Sequence, residues 1–276
     1  MNWLFSTLTL LCICYLSIAA GMYISQRGFM YLPDRRNQNP DDVGLSGVNV
    51  AMISTSDGQH LQSWHVPAKP GRPTILYFHG NAGSIADRAD RLRFFQKQGL
   101  GALFVSYRGY GASTGSPSQS GLINDALAAH DWLVKSDISP DNIIAVGESL
   151  GAAVVVQLAQ QRSVRAVILE APFTSTMDVA RATYWWLPVD LLMKDRFESI
   201  KLIHQIKAPI LIVHGARDEI TSVEQGRQLF AKAREPKTLY IIDGASHNGI
   251  SVEDVWLREQ VFIENLIALA AAPDPS

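Results

Sequence analysis

The stretch NIIAVGESLGAAVV, residues 142–155, passes from an apolar run through a Gly-x-Ser-x-Gly turn into a run of small residues. This pattern predicts a buried strand, a tight turn and a helix, which is the layout of a nucleophile elbow. Gly147 and Gly151 lack the Cβ atoms that would collide with neighbouring backbone in so sharp a turn. The hydroxyl of Ser149 is then held over the sheet edge, beside a helix N-terminus that favours negative charge. An ordinary glycine-rich turn between a strand and a helix is the alternative.

On both sides of this stretch, apolar runs that suit buried strands alternate with helical segments. The predicted strands span residues 48–54, 61–66, 74–78, 102–105, 143–146, 164–169, 210–213 and 238–242. The predicted helices span residues 85–98, 120–136, 150–161, 223–233 and 252–269. Asp57-Gly58 indicates a hairpin between the first two strands. The alternation predicts a mostly parallel, doubly wound sheet, in which ligands bind at the carboxyl ends of the strands.

The N-terminal segment differs in kind from the rest of the chain. Residues 3–24 carry no charged side chain, and as a helix they would be about 33 Å long, enough to cross a bilayer core. Trp3 and Tyr23 lie at its two ends, where interfacial aromatic residues are expected. We therefore expect a single-pass membrane anchor over residues 1–26.

Two other interpretations of this segment stay open. Ser17-Ile18-Ala19 resembles a small-x-small cleavage site, which would make the segment the signal peptide of an exported protein, although no Lys or Arg precedes the apolar run. A buried helix of the soluble domain is the third interpretation. Arg27, Arg35 and Arg36 follow the span, and the positive-inside rule would place the rest of the chain in the cytoplasm on these three charges alone, so the side of the membrane stays open.

The remaining chain divides into a linker at residues 27–45, an α/β domain at residues 46–270 and a short tail at residues 271–276. One insertion, at about residues 174–207, separates two predicted strands by more than thirty residues and predicts a small cap over the strand ends. Within it, Trp185 and Trp186 are candidate substrate contacts. Packing of the cap onto the body of the domain would account for the same two side chains.

A serine hydroxyl becomes an effective nucleophile only when an oriented base removes its proton. Three histidines follow the Gly-x-Ser-x-Gly motif in the chain: His204, His214 and His247. His214 ends a buried strand, and His204 lies in a charged helical stretch of the cap. His247 lies in the glycine-rich loop 244–249 between the last strand and the last helix, where its imidazole can reach the strand ends. His247 is therefore the candidate base.

The third group of such a site is an acid that orients the base. Asp218 follows the strand at residues 210–213, next to the strand that leads to the candidate base. Asp243 lies only four residues before that base, too near along one loop to reach the far imidazole nitrogen. Glu148 and Glu170 are expected to make local hydrogen bonds around their turns. Asp218 is therefore the candidate acid.

A tetrahedral oxyanion on the substrate needs backbone N–H donors. Leu150, the residue after the candidate nucleophile, would supply one donor. Asn81, in the small-residue loop 78–83 that follows the first central strand, would supply the other. Turn formation is the alternative role for Asn81. His79 in the same loop is expected to brace it rather than act as a second base.

Composition and motifs argue against several other classes of function. The net charge is −2 and no long basic run is present, so nucleic acid is not an expected partner. Both cysteines, Cys12 and Cys14, lie in the N-terminal apolar segment, so the α/β domain contains no disulfide and no thiolate nucleophile. Because the chain shows no metal-ligand spacing, phosphate-binding loop or dinucleotide fingerprint, we expect neither a metal nor a cofactor.

Five motifs occur in an order that resembles a known family. They are FHGNAG at 78–83, SYRGYG at 106–111, GESLG at 147–151, EAPFTS at 170–175 and GASHN at 244–248. Over residues 48–269 the chain resembles the α/β-hydrolase superfamily, specifically the ABHD-type membrane-associated serine hydrolases and their bacterial relatives. The resemblance implies Ser149 as nucleophile, Asp218 as acid and His247 as base.

The resemblance also implies an α/β-hydrolase fold with a mostly parallel central sheet flanked by helices, a small cap insertion and an N-terminal transmembrane helix. One departure is the sequence Glu219-Ile220-Thr221, where the family often has a Val-Pro pair, which affects the stiffness of that loop. We expect a serine hydrolase that cleaves carboxylic esters or thioesters of small-molecule or lipid acyl substrates. A catalytically silent binding module and a serine peptidase are the alternatives.

Overall fold

An eight-stranded sheet forms the centre of the computed structural model, which describes residues 2–247 and 252–271. The strands of the described residues are β1 Leu32–Pro33, β2 Asn49–Ser54, β3 His60–Val66, β4 Thr74–Phe78, β5 Ala82–Gly83, β6 Gly101–Val105, β7 Ile143–Glu148, β8 Ala166–Glu170, β9 Ile210–Gly215 and β10 Lys237–Ile242. The sheet order is β10-β9-β8-β7-β4-β6-β3-β2. Six strands that are adjacent in the sheet, β10, β9, β8, β7, β4 and β6, run parallel to one another. β3 pairs antiparallel with both β2 and β6. The predicted fold class is therefore confirmed.

Helices cover both faces of this sheet. They are α1 Asn2–Met30, α2 Ala89–Lys97, α3 Gln119–Lys135, α4 Leu150–Gln161, α5 Thr176–Thr183, α6 Val189–Leu192, α7 Ser199–Leu202, α8 Val223–Lys232 and α9 Val252–Ala271. Short 3-10 turns lie at Pro40–Val43, Ile85–Arg88, Pro140–Asn142 and Ile203–Gln205. One buried apolar cluster joins the sheet to α3, α4 and α8, and a second joins its other face to α2 and α9. Burial on both faces explains why the central strands are apolar throughout.

The predicted elements match the observed ones closely, with one local difference. The predicted strand at 74–78 and the predicted helix at 150–161 have the observed bounds, and the other strand ends differ by no more than two residues. The predicted helix at 85–98 instead begins as a 3-10 turn, because Ser84 caps it: its hydroxyl accepts from the Ala86 N–H, and its own N–H donates to Asp87. The predicted residues Asn248 and Gly249 of the histidine loop, and 272–276 of the tail, lie outside the described residues.

The insertion at residues 174–207 folds as α5, α6, α7 and the last 3-10 turn. Its second half packs onto the domain, since α7 contacts both α4 and α8. Its first half, α5 and α6, lies beside the C-terminal half of α1: the Gln26 side chain donates to the Leu192 carbonyl, and the Tyr15 hydroxyl donates to the Trp186 carbonyl. The insertion thus bridges the α/β domain and the N-terminal helix.

The N-terminal helix α1 is continuous over 29 residues, which corresponds to about 44 Å. Among the described residues, the segment Trp3–Met30 is the helix long and apolar enough to cross a membrane. Most of its side chains are exposed, and Ala19 is buried. This exposure is not that of a core helix, so the interpretation of the segment as a buried helix of the soluble domain is wrong. Its length and composition suit a membrane anchor or a signal sequence.

The start of α4 crosses β4 and β7 at very short range. A Cβ atom on Gly151 would overlap the carbonyl oxygen of Phe78 in β4, and one on Gly147 would overlap the Gly151 backbone. Neither position offers a flexible side chain that could move away, because the colliding atoms belong to the backbone. These two glycines therefore set how closely the helix approaches the sheet, and with it the height of Ser149 above the strand ends.

We predict that Gly151→Ala lowers the free energy of unfolding by about 1–3 kcal/mol, because the added methyl group forces the α4 backbone away from β4. Thermal unfolding of the full chain in detergent, followed by circular dichroism, measures the change. Gly28→Ala is the matched control, since a Cβ atom there has no neighbour within 4 Å and the helical backbone accepts alanine. Equal melting temperatures for Gly151→Ala and the wild type would contradict the packing argument.

Candidate active site

Ser149 occupies the turn between β7 and α4 in a strained backbone conformation. Its φ is 52° and its ψ is −108°, in a region that residues with a Cβ atom seldom adopt. The Ser149 N–H donates to the Glu170 carbonyl of the neighbouring strand at 2.8 Å, which fixes the turn against the sheet. Leu150 is the first residue of α4, so its N–H has no acceptor within the helix. This is the geometry that the Gly-x-Ser-x-Gly motif predicts.

His247 and Asp218 form a direct pair at the carboxyl ends of the adjacent strands β9 and β10. The His247 Nδ1 lies 2.7 Å from Asp218 Oδ2, a short distance for a hydrogen bond between an imidazole and a carboxylate. The Asp218 side chain has no solvent exposure, whereas that of His247 remains partly exposed. The two residues come together because parallel pairing of β9 with β10 places both strand ends at the same edge.

Thr221 completes the surroundings of the Asp218 carboxylate. The N–H groups of Ile220 and Thr221 donate to Oδ1 at 2.9 and 2.7 Å, and the Thr221 hydroxyl lies 2.9 Å from Oδ2. The same hydroxyl lies 3.2 Å from the His247 Nδ1. The stretch Glu219-Ile220-Thr221, which sequence reasoning related only to loop stiffness, thus supplies three hydrogen-bond donors to the acid.

These contacts hold Asp218 in its ionised form. Burial alone would raise the pKa of Asp218, but hydrogen bonds with His214 and His247 outweigh it and hold the pKa well below its usual range. His214 is itself buried, with its Nε2 2.7 Å from the Thr221 carbonyl and 3.4 Å from Asp218 Oδ2. His214 thus contacts the Asp218 carboxylate on its buried side, which fits the structural role expected for this histidine.

The loop after β4 is fixed by hydrogen bonds to three different parts of the chain. The Asn81 carbonyl accepts from the Tyr110 hydroxyl at 2.7 Å and from the Leu32 N–H at 2.9 Å. The Asn81 side-chain amide donates to the Met30 carbonyl, the last residue of α1, at 3.0 Å. The Asn81 N–H has no acceptor among the described residues. Asn81 thus anchors the loop with its side chain and carbonyl while its N–H stays available.

One cavity of about 430 Å³ connects these groups, a size typical of small-ligand sites. The predicted site residues Ser149, His247, Leu150 and Asn81 all line it, and Asp218 lies directly behind His247. Neither Trp185 nor Trp186 is among the described residues that line the cavity. The side chain of Trp185 instead faces outward at 81% exposure, because the cap turns it away from the strand ends.

Sequence reasoning missed one wall of the cavity. It comes from the end of α1, which contributes Met22, Tyr23, Gln26, Phe29 and Met30. Cap residues oppose this wall, mainly from α5 and α6, and most of the lining is apolar. Apolar side chains are spread around the whole circumference of α1 up to Ile24, so no stripe in the sequence marks the face that packs on the domain. The polar Gln26 near the end of the span was the available signal.

Two glutamates at the ends of the neighbouring strands β7 and β8 have pKa values that are shifted in opposite directions. Glu148 lies in the cavity wall, and burial would raise its pKa, but a two-pronged pair with Arg88 and a hydrogen bond from Tyr77 outweigh burial and lower the pKa. Burial raises the pKa of Glu170 well above its usual range. Arg91 pairs with Glu170 and opposes this rise, but Arg91 also pairs with the buried Glu259, whose negative charge raises the pKa further. The expected partners around the turns are not the ones found, because both side chains bond arginines of the segment after β5, 60 and 79 residues away along the chain, and neither bonds His247 among the described residues.

His79 braces the loop below the cavity as a neutral histidine. It is fully buried, its Nδ1 donates to the Gly80 carbonyl at 2.7 Å, and its ring packs against Tyr107 and Tyr110. Burial and the nearby positive charge of Arg88 lower the pKa of His79 to about 4. Among the described residues, no group of three or more metal-ligating side chains is placed to bind a metal ion.

The buried His79 gives a prediction for stability against pH. An unfolded histidine has a pKa of about 6.5, so between about pH 6.5 and 4 the unfolded chain binds a proton that the folded chain excludes. The free energy of unfolding should fall by about 3 kcal/mol as the pH is lowered through this window, and His79→Gln should remove that slope. Denaturant titrations across the window measure it. His60→Gln, at an exposed position, should keep the slope; a slope unchanged in His79→Gln would contradict the assignment.

Comparison with protein families and curated sequences places this geometry in a known context. A model of the α/β-hydrolase fold matches residues 73–201, and a model described as serine aminopeptidase S33 matches residues 193–253. An uncharacterised protein of Mycobacterium tuberculosis is 38% identical over 238 residues, covering 84% of this chain and 85% of that protein. The alpha/beta hydrolase domain-containing protein WAV2 of Arabidopsis thaliana is 34% identical over 248 residues, covering 82% of this chain and 77% of that protein.

Solved structures share the fold at lower sequence identity. An esterase of Pyrococcus furiosus superposes with a TM-score of 0.69 at 21% identity, covering 86% of this chain and 98% of that one. Est1E from Butyrivibrio proteoclasticus, solved with ferulic acid bound, gives a TM-score of 0.66 at 21% identity, covering 79% and 100%. The family models and the Arabidopsis relative support a hydrolase, and the solved structures share its fold. Its relatives and its sheet show that the chain belongs to the α/β-hydrolase superfamily.

Proposed function

We propose that this protein is a serine hydrolase that cleaves carboxylic esters or thioesters through Ser149, His247 and Asp218. One observation carries the proposal: a histidine paired with a buried, ionised aspartate lines the same cavity as a serine held in a strained strand-to-helix turn. A serine, a base and an acid in that chain order are the working groups of α/β-hydrolases. A turn that only connected a strand to a helix would need neither partner.

The proposed reaction starts at the imidazole of His247. Because Nδ1–H donates to Asp218, the neutral ring carries its free lone pair on Nε2, which takes the proton of the Ser149 hydroxyl as Oγ attacks the acyl carbonyl. The N–H groups of Asn81 and Leu150 would stabilise the oxyanion. The protonated His247 then gives its proton to the leaving alcohol or thiol, and an acyl-enzyme forms on Ser149. Water, deprotonated by the same histidine, attacks the acyl carbon; the bond from that carbon to Ser149 Oγ breaks, Oγ takes the proton back from His247, and the acid leaves.

The lining of the cavity favours an acyl substrate over a peptide. Apolar side chains such as Val179, Leu187 and Met193 surround the space in front of Ser149. Among the described residues that line the cavity, Glu148 is the one carboxylate, and its charge is paired with Arg88. An aminopeptidase needs an unpaired acid for the substrate ammonium group. The family match to serine aminopeptidases makes peptide cleavage the second candidate function, and this pairing argues against it.

We predict that Ser149→Ala abolishes both ester hydrolysis and labelling by a fluorophosphonate probe, because the probe reacts with the activated hydroxyl. Asp218→Asn should lower kcat by about 10³–10⁴-fold, since the amide disturbs the orientation and tautomer of His247. Rates on p-nitrophenyl esters, acyl thioesters and amino-acid p-nitroanilides measure the effect and separate esterase from peptidase. Ser163→Ala is the control, an exposed serine outside the cavity.

The outcomes of this experiment are distinct. A folded wild-type protein that neither takes the label nor hydrolyses any of these substrates would support the silent binding module instead. Full activity in Ser149→Ala would place the nucleophile elsewhere. Preference for p-nitroanilides over esters would favour the peptidase.

We further propose that α1 is a retained single-pass membrane anchor. The helix is continuous through the small-x-small sequence at Ser17–Ala19, and Ala19 is buried. Cleavage after Ala19 would remove Tyr15, whose hydroxyl and ring both contact Trp186 of the cap. Arg27 pairs with Asp195 and Arg36 with Asp34, so much of the positive charge that would orient the span is neutralised.

We predict that the protein purified from carbonate-washed membranes has the mass of the full 276-residue chain. Ser17→Leu, which removes the small residue three positions from the cleavage point, should change the mass only by the substitution itself. Intact-protein mass spectrometry checks both. A chain that begins at Ala20 in the wild type but not in Ser17→Leu would show that the segment is a signal peptide.

A further inference from the structure

The end of α1 is part of the active-site cavity and not a linker that leads to it. Met22, Gln26 and Met30 lie on one face of the helix, four residues apart, and all three line the cavity that holds Ser149. Ala19, one turn earlier on the same face, is buried. The helix therefore packs on the domain along this face while its opposite face stays exposed.

An ion pair with a buried carboxylate holds this part of α1 in place. The Arg27 guanidinium donates two hydrogen bonds to the Asp195 carboxylate, at 2.8 and 3.0 Å, and the Tyr31 hydroxyl donates a third at 3.1 Å. The Asp195 side chain is 5% exposed and that of Arg27 is 49% exposed, so the pair is shielded from water on the carboxylate side. Gln26 adds contacts with the cap backbone at Leu192 and Lys194. The position of the cavity wall is thus determined by the fold and not by the membrane.

The cap lies beside α1 at a depth that a bilayer would occupy. About 20 helical residues cross the 30 Å hydrocarbon core, so a span that begins at Trp3 extends to about Met22. Tyr15, which contacts Trp186 of the cap, is only about 18 Å along the helix from Trp3. With this span across a bilayer, the cap segment around Trp186 would lie at the depth of the hydrocarbon layer, and the exposed side chains of Trp185 and Leu191 would contact lipid.

The chemistry of the gap between the two elements fits an acyl chain. On one side stand Met22 and Phe29 of α1, and on the other Val179 and Leu187 of the cap, so the space between them is apolar. Polar side chains are the minority of the lining, and they include Gln26 of α1 and Thr176 and Thr183 of the cap as well as Ser149 and His247. A lipid ester would place its carbonyl at Ser149 and its hydrocarbon tail against the apolar side chains of the two walls.

We propose that the last two turns of α1 form the acyl-chain wall of the cavity, and that one chain of a bilayer lipid ester enters sideways between α1 and the cap. This inference rests on the proposed function and assigns its substrate to the membrane. Met22 is then a residue that sets the acyl-chain length, although it lies in the segment that anchors the protein.

The first test replaces Met22 with a larger side chain in the full-length protein in detergent micelles. Met22→Trp should narrow the space for the tail, so kcat/KM for p-nitrophenyl dodecanoate relative to p-nitrophenyl butyrate should fall about tenfold or more. Ile24→Trp is the matched control, since Ile24 lies on the same helix at 75% exposure and outside the cavity lining. A ratio in Met22→Trp equal to that in Ile24→Trp would overturn the assignment of the wall.

A second measurement does not depend on catalysis. A long-chain fatty acid carrying a diazirine is photocrosslinked to Ser149→Ala, and the labelled peptides are mapped by mass spectrometry. We expect labelling of α5, whose Thr176, Val179 and Thr183 face the cavity, and its loss when Met22→Trp is added. Absence of α5 labelling, or labelling that persists unchanged with Met22→Trp, would overturn the proposal even if no ester is hydrolysed.

The two measurements separate this inference from the proposed function. One outcome is that ester hydrolysis and fluorophosphonate labelling depend on Ser149 while the chain-length ratio is unchanged in Met22→Trp. This outcome would support the hydrolase and contradict the role of α1 as the acyl-chain wall. The other outcome is that Met22→Trp blocks crosslinking to α5 in a protein that hydrolyses no ester. This outcome would support a lipid-binding cavity and contradict the hydrolase.

Discussion

The close approach of α4 to β4 is the constraint on which the site depends. Because Gly147 and Gly151 have no Cβ atoms, the chain can reverse from β7 into α4 within a few residues and hold Ser149 at a positive φ. The turn then lies at the edge where the parallel strands end, which is also where Asp218 and His247 emerge. Every proposed catalytic group is therefore positioned by the sheet, and the loops only complete the arrangement.

The sheet and the order of the site residues could be predicted from the sequence because both depend on local sequence patterns. Strands buried on two faces are short apolar runs, and β4 at Thr74–Phe78 was predicted with its observed bounds. The candidate acid and base could be named because strand ends in a parallel sheet meet at one edge, so their loops are neighbours. That Asp218 pairs with His247 follows from this topology and not from their distance along the chain.

The second half of the cavity could not be predicted, for two physical reasons. Apolar side chains are spread around the circumference of α1, so no apolar stripe distinguishes the face that packs on the domain from a face that would contact lipid, and the sequence does not indicate which face carries Met22 and Met30. The pair that holds this helix joins Arg27 to Asp195, 168 residues apart, and no local pattern connects them. For Trp185 the sequence indicated the segment correctly but not the direction of the side chain, which depends on how the cap folds.

The pair between Arg27 and Asp195 has a consequence for how such an enzyme would meet its substrate. A domain tied to its membrane helix by a flexible linker can tumble, but here the ion pair and the hydrogen bonds of Gln26 fix the domain to the helix axis. With α1 across a bilayer, the mouth of the cavity would keep one height and one orientation. For the proposed membrane substrate, encounter would then be a two-dimensional search, and the turnover rate would depend on the mole fraction of substrate in the membrane and not on its concentration in solution.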